Sequence, residues 1–309
     1  MDRERREKMI MKELTLSKQY AIVALDGLES LHPSVAKEAV IRAVAAAKVL
    51  EEIFDLEEYD QDTFFIKLNE AVEAAKRLKK KEGKEIEQEI AGLLEKEGLL
   101  ETVPDLLGCD MNYYTAGVEL KAYRSEEKIY LRQRESLRAE ILEEGEISPE
   151  SIILLWLHRE SGCMHDLFSV EEQNQVQKRI LDLAAEKEEY RRLWEAEFHN
   201  VLESFIGKFL RVKSNLFKNP YLEGINLIYP FLERRNAIFV DFVVFGTTVK
   251  ERRVAVLEFL CNMGHYVEEV KSGSETLLKI DNRYYRIMPA TRRAYSVPIQ
   301  GVNIVPVYW

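Results

Sequence analysis

Up to about Lys213, apolar residues recur three and four positions apart, the spacing of helices that bury one face. A short apolar segment, Ser17 to Leu25, leads into a turn at Asp26-Gly27, and Pro33 suits a first helical position. Val35, Ala39, Ala43, Ala47 and Leu50 then mark one side of a helix reaching about Phe54. The small residues from Ala43 to Ala47 allow close approach of a neighbour. Phe64, Leu68, Val72, Ala75 and Leu78 predict a helix over Thr63 to Lys80, ending in Lys79, Lys80 and Lys81. Ile86, Ile90 and Leu93 predict another over Glu85 to Glu97, closed by Gly98. The period then breaks. Leu99 to Gly117 sets Pro104, Gly108 and Gly117 around Leu106, Leu107, Tyr113 and Tyr114, which reads as a hairpin-like excursion with an apolar tip. Helical spacing resumes over Ser125 to Glu144. Ser148-Pro149 opens a helix to Glu160 whose run Ile152 to Leu157 leaves little polar face, as expected of a buried central helix. Ser169 with Glu172 forms a capping box for a stretch from Val170 to about Val212, interrupted near Leu183.

After Asn219-Pro220 the pattern shortens into runs of Val, Ile, Phe and Tyr between turn residues. Strands are predicted at Ala237 to Phe245, Tyr266 to Lys271, Glu275 to Ile280, Tyr284 to Met288 and Asn303 to Tyr308, with a helix at Val249 to Met263. Asp281-Asn282 joins the third and fourth. The fold class is therefore mainly α: a helical domain with an apolar hairpin over 13–212, followed by a smaller α+β domain over 213–309.

Composition changes this picture little. The 309 residues are 46% hydrophobic and 32% charged, which excludes collagen and wholesale disorder. Three cysteines without CxxC spacing give no disulfide framework and no zinc cage. No apolar run reaches the ~18 residues of a membrane span, and the charged first residues lack a signal-peptide core. A cytoplasmic protein, peripheral on a membrane at most, is expected. Charge is uneven: residues 1–210 carry 30 Lys and Arg against 45 Asp and Glu, whereas residues 211–309 carry 14 against 9. The acidic body argues against nonspecific nucleic-acid binding. Arg283, Arg286, Arg292 and Arg293, with Tyr284 and Tyr285, form a local basic exception.

Enzyme signatures are absent: there is no Walker loop, GxGxxG, HExxH or GxSxG. His158 and His165 stand two helical turns apart, but Gly162 should break a helix between them, so no metal pair is expected. Cys163 beside His165 has no spacing that marks a nucleophile. We expect no catalytic residues, no metal and no cofactor.

Leu14-Thr15-Leu16, Tyr20 to Asp26, Val40-Ile41-Arg42, Leu94 to Leu100, Leu106-Leu107, Asp110-Met111 and Glu140 to Phe168 occur in an order that resembles the Golgi phosphoprotein 3 family over about residues 13–205. The resemblance implies a mostly helical fold that binds phosphatidylinositol 4-phosphate through basic residues and a Trp, and inserts an apolar hairpin into the membrane. In eukaryotic members it implies an adaptor that helps retain glycosyltransferases. By position, Arg42 matches one pocket arginine and Lys84 a second basic residue. The pocket Trp falls near Pro33 and a further arginine near Glu87. Leu106 and Leu107 match the apolar tip. Residues 210–309 have no counterpart, which points to a divergent, prokaryotic member.

Two functions are therefore weighed. The first is a noncatalytic peripheral membrane protein that binds an anionic lipid headgroup through Arg42, Lys84 and the Lys79 to Lys81 cluster, with Leu106, Leu107, Tyr113 and Tyr114 as membrane or partner hairpin. The second is a soluble oligomeric scaffold whose hairpin is a protein interface and whose C-terminal domain recruits a partner.

Overall fold

The computed structural model describes residues 14–26, 33–54, 60–111, 114, 116–117, 121–198, 237–241, 248–272, 276–294 and 297–307. The chain is largely helical with a strand-rich C-terminal part. Two apolar-rich helices lie at its centre. Helix α1 (Leu16–Ala24) buries nearly every residue, and α2 (Pro33–Leu50) buries Ala43 to Ala47. The small side chains of α2 let it pack against α1, α3 (Gln61–Arg77), α4 (Lys80–Lys96) and a later helix, α6 (Pro149–Glu160).

The boundary between α3 and α4 differs from the sequence expectation. Leu78 and Lys79 are extended, and the Glu82 carboxylate accepts the Lys79 N–H at 3.1 Å. Lys80 and Lys81 thus open α4 instead of closing α3. The periodicity could not show this, because what stops α3 is a side chain from α2, described below.

After α4, Gly98 adopts φ 71° and turns the chain into β1 (Leu100–Pro104). This strand pairs antiparallel with β2 (Lys121–Ser125), Leu100 opposite Ser125 and Pro104 opposite Lys121. A 3-10 turn, Leu106–Cys109, follows β1. The predicted hairpin exists, but it is longer than expected and takes in Ser125. Helix α5 (Glu127–Leu142) follows.

In α6, residues Ile152 to Leu157 are all buried, as six consecutive apolar residues require. The polar end of that helix is satisfied internally: Arg159 and Glu160 pair at 2.7 Å, Arg159 donates to the Trp194 carbonyl at 2.8 Å, and Glu160 accepts the Phe198 N–H at 2.9 Å. A one-turn helix, α7 (Met164–Leu167), leads to α8 (Val170–Glu186), which opens with the expected Ser169/Glu172 box. The interruption comes at Lys187, not near Leu183. Lys187 is extended, so that α9 (Glu188–Glu195) can turn Tyr190, Leu193 and Trp194 into the core. Residues 196–198 leave the helix, and residues 199–212 of the stretch predicted to reach Val212 lie outside the described residues.

The C-terminal unit comprises β3 (Ile238–Asp241), α10 (Val249–Asn262), β4 (Val267–Lys271), β5 (Thr276–Ile280), β6 (Arg283–Ala294) and β7 (Val297–Pro306). Among the described residues its strands form one antiparallel sheet in the order β3-β7-β6-β5-β4. Ile238, Val240, Val302, Ile304, Leu278, Ile280 and Tyr285 line one face. Val256 and Leu260 of α10 pack on it.

The two units exchange tips. Leu106 and Cys109, from the 3-10 turn of the helical unit, belong to the core of the C-terminal sheet. In return, the Asp281-Asn282 turn joining β5 to β6 enters the helical unit. Asn282 donates to Asp26 at 2.8 Å and to the Ser125 carbonyl at 2.9 Å, and Arg283 meets both Asp26 and Asp166. Asp281, at φ 53°, accepts from Arg124 at 2.6 Å and from Tyr266 N–H at 3.2 Å, and bonds the His265 ring at 2.8 Å. Burial alone would push the Asp281 carboxyl up; His265, Arg124 and the Tyr266 N–H outweigh burial and hold it below the usual aspartate range.

A carboxyl held low in the folded state contributes stability above its unfolded value of 3.8, and that stability fades as pH falls through the folded value. Asn also tolerates a left-handed backbone, so Asp281→Asn removes the charge and one acceptor oxygen without a backbone penalty. We expect it to cost about 1–3 kcal/mol at pH 7, and the gap to wild type to shrink below about pH 4. Urea titrations at both pH values check this.

Candidate functional site: a lysine-lined cleft

Between α2, α4 and the β1–β2 ribbon lies a cleft of about 670 Å³. Leu25, Ile41 and Ala122 supply apolar wall, Lys80, Lys84 and Lys121 cations, and Glu38 and Glu87 carboxylates. The positive end of the α4 macrodipole adds to the lysines of its first turns. Lys80 and Lys84 make no ion pair among the described residues. Tyr123 of β2 also lines the cleft. Burial, then the charges of Glu87 and Glu95, push its hydroxyl up to about 12. It therefore stays protonated and able to donate throughout the physiological range.

Gly83 brings α4 close enough to form this cleft. A Cβ there would stand 2.5 Å from Ile41 Cγ2 and 3.0 Å from Leu78 Cδ2. Only a hydrogen at this position lets the first turn of α4 rest on α2.

Lys84 lines this cleft. Arg42 does not. It is 2% exposed and points away to the end of α3, donating to the carbonyls of Ala75, Lys76 (3.2 Å) and Leu78 (3.1 Å) and pairing with Glu38 at 2.7 Å. Its guanidinium satisfies the carbonyls that a helix C-terminus leaves without partners. Arg42 is thus a positioning residue for the α3–α4 turn rather than a headgroup ligand. Arg42 and Lys84 flank the same helix junction but do not converge.

The hairpin residues also depart from expectation. Leu106 is 3% and Leu107 8% exposed, both covered by the chain itself. The turn is held in place by polar bonds. Asp105 accepts the Leu107 N–H at 2.9 Å, and Asp110 accepts the Phe239 N–H of β3 at 2.9 Å. Arg292 approaches Asp110 at 3.7 Å and lies over the Phe239 ring at 4.8 Å. Leu106 and Leu107 are therefore not an exposed apolar tip. An apolar tip next to a second domain gains more by entering that domain's core than by facing water. Tyr114 is 56% exposed, its ring edge-on to Phe259 of α10 at 6.1 Å. Tyr113 lies outside the described residues.

Lys121 and Tyr123 escaped the sequence reading, which assigned no element to residues 118–124. A period-two signal over Lys121 to Ser125 is short and broken by Arg124, which turns to the C-terminal unit.

His158 is buried with its ring 4.9 Å from Tyr20, and the Cys163 sulfur is buried 3.0 Å from the Ser161 hydroxyl. Among the described residues no group of His, Cys, Asp and Glu could hold a metal ion. No helix of the described residues is long and apolar enough to cross a membrane.

Two substitutions separate positioning from binding. Arg42→Ala leaves buried carbonyls without donors and is expected to cost about 3 kcal/mol of stability. Leu106→Ala opens a cavity between the units at about 2–4 kcal/mol. Both are read as lowered denaturation midpoints.

Compared with known proteins, the chain matches no family model, no curated protein and no solved structure.

Proposed function

We propose that the protein is a noncatalytic binding module that takes an anionic headgroup, of the phosphoinositide kind, in the cleft around Lys80, Lys84 and Lys121, and so meets an anionic membrane surface peripherally. The observation that carries this reading is the gathering of three lysines and a protonated phenol in one concave cleft at a helix N-terminus. That donor set suits phosphate oxygens, with lysines as mobile point charges and Tyr123 as a fixed donor. Glu38 is engaged by Arg42, which reduces its opposition. The resemblance to the Golgi phosphoprotein 3 family supports the ligand class, through Lys84 alone. Membrane contact in this reading is electrostatic. It does not use Leu106, which packs into the core of the C-terminal unit, or Leu107, which is buried. Leu106, which the scaffold alternative assigns to a protein interface, is packed within the chain, whereas Tyr114 of the same hairpin is 56% exposed.

The test is cosedimentation with vesicles containing about one third anionic lipid, with and without phosphatidylinositol 4-phosphate. Each lysine near such a surface contributes on the order of 1 kcal/mol. Lys80→Glu with Lys84→Glu is thus expected to weaken binding at least tenfold, and rising salt to weaken the wild type likewise. A soluble inositol phosphate that competes places the ligand in the cleft. Undetectable binding at low salt, or equal binding by the double variant, overturns the reading.

A further inference from the structure

Asp26, at the end of α1, and Asp166, in α7, are 1% and 6% exposed and face one interior position of the helical unit. Two carboxylates brought together away from water repel each other and lose hydration, a cost that a cation between them offsets. The cation comes from the other unit. Arg283 Nη1 meets Asp166 Oδ1 at 2.7 Å, Nε meets Asp26 Oδ1 at 3.3 Å, and Nη2 donates to the main-chain carbonyl of Asp26.

Each guanidinium nitrogen therefore has its own acceptor, and the acceptors lie around the rim of one planar group. An ammonium is a single centre and cannot span them. The helical unit also orients its own acceptors. Asp26 Oδ2 takes the Ser125 N–H at 2.8 Å, and the Ser125 hydroxyl donates to the Ile22 carbonyl at 2.6 Å. Of the polar groups that fix Asp26, Asn282 alone comes from the C-terminal unit besides Arg283 itself.

We propose that the helical unit carries a guanidinium receptor, built from Asp26, Asp166 and the Asp26 carbonyl, that recognises an arginine presented beside a tight turn, and that Arg283 is its resident intramolecular ligand. The C-terminal unit docks as a ligand docks: the Asp281-Asn282 turn presents the arginine, and the receptor selects it over lysine. This site is separate from the lysine cleft, takes the opposite charge, and does not depend on the proposed headgroup binding.

The experiment is chemical rescue. In full-length Arg283→Ala the receptor keeps its acceptors and loses its ligand. Millimolar methylguanidinium, far below denaturing concentrations, is expected to raise the thermal midpoint saturably by about 3 °C, whereas methylammonium at equal ionic strength leaves it unchanged. Adding Asp26→Asn and Asp166→Asn abolishes the response. Arg283→Lys, which keeps the charge, melts well below wild type. If Arg283→Ala does not stay folded, its refolding yield from urea reads the same question, rising with methylguanidinium and not with methylammonium. Equal effects of the two cations in both assays, a response that survives loss of both carboxylates, or a lysine variant as stable as wild type would each overturn the proposal.

Discussion

The interaction on which the two units depend is the guanidinium of Arg283 held between Asp26 and Asp166. Burial pushes the Asp26 carboxyl up from its ordinary value, against the pull of Arg283, the Ser125 N–H and Asn282. Burial likewise opposes the Arg283 charge, and Asp166, Tyr130 and Asp26 more than offset it. None of these groups is stable in the interior alone. Breaking such a cluster by removing one member typically costs ~3–5 kcal/mol, because the others stay buried without compensation. The cluster therefore fixes where the β5–β6 turn must sit, and with it the sheet, α10 and the pocket that receives Leu106.

The β1–β2 ribbon transmits that constraint. Lys121 and Tyr123 of β2 line the cleft, while Arg124 and Ser125 hold Asp281 and Asn282 of the other unit. Leu25 and Asp26 divide in the same way, one a cleft wall and the next a member of the ion cluster. One short strand and one helix end thus serve both surfaces. The cleft wall is thereby tied to the docking of the C-terminal unit.

A comparable division of labour places the lysines. Arg42 stops α3 by taking its terminal carbonyls, and Gly83 lets α4 settle on Ile41. Neither touches the solvent side of the cleft. Together they set Lys80 and Lys84 at a helix N-terminus, where their charge is unfavourable to the helix itself. In the proposed function these charges, which work against their own helix, act as binding groups.

Helices with one apolar face, the buried run Ile152 to Leu157, the Ser169/Glu172 box and the Asp281-Asn282 turn were legible along the chain, because periodicity and capping are local properties of neighbouring residues. So was the strand-rich character of the C-terminal part, although Asn219-Pro220 itself lies outside the described residues. What the chain alone could not show was which side chain ends a helix in another part of the sequence, or which unit receives an apolar tip. Arg42 and Leu106 read as a ligand and an anchor because a lone arginine and a pair of leucines carry no mark of their partners. The carbonyls of Ala75 and Leu78, the sheet face of Ile238 and Val240, and the carboxylates around Arg283 come from residues 33 to 257 positions distant. Only folding brings such groups within bonding distance, and burial then decides that a charge or an apolar group must be satisfied inside the molecule and not outside it.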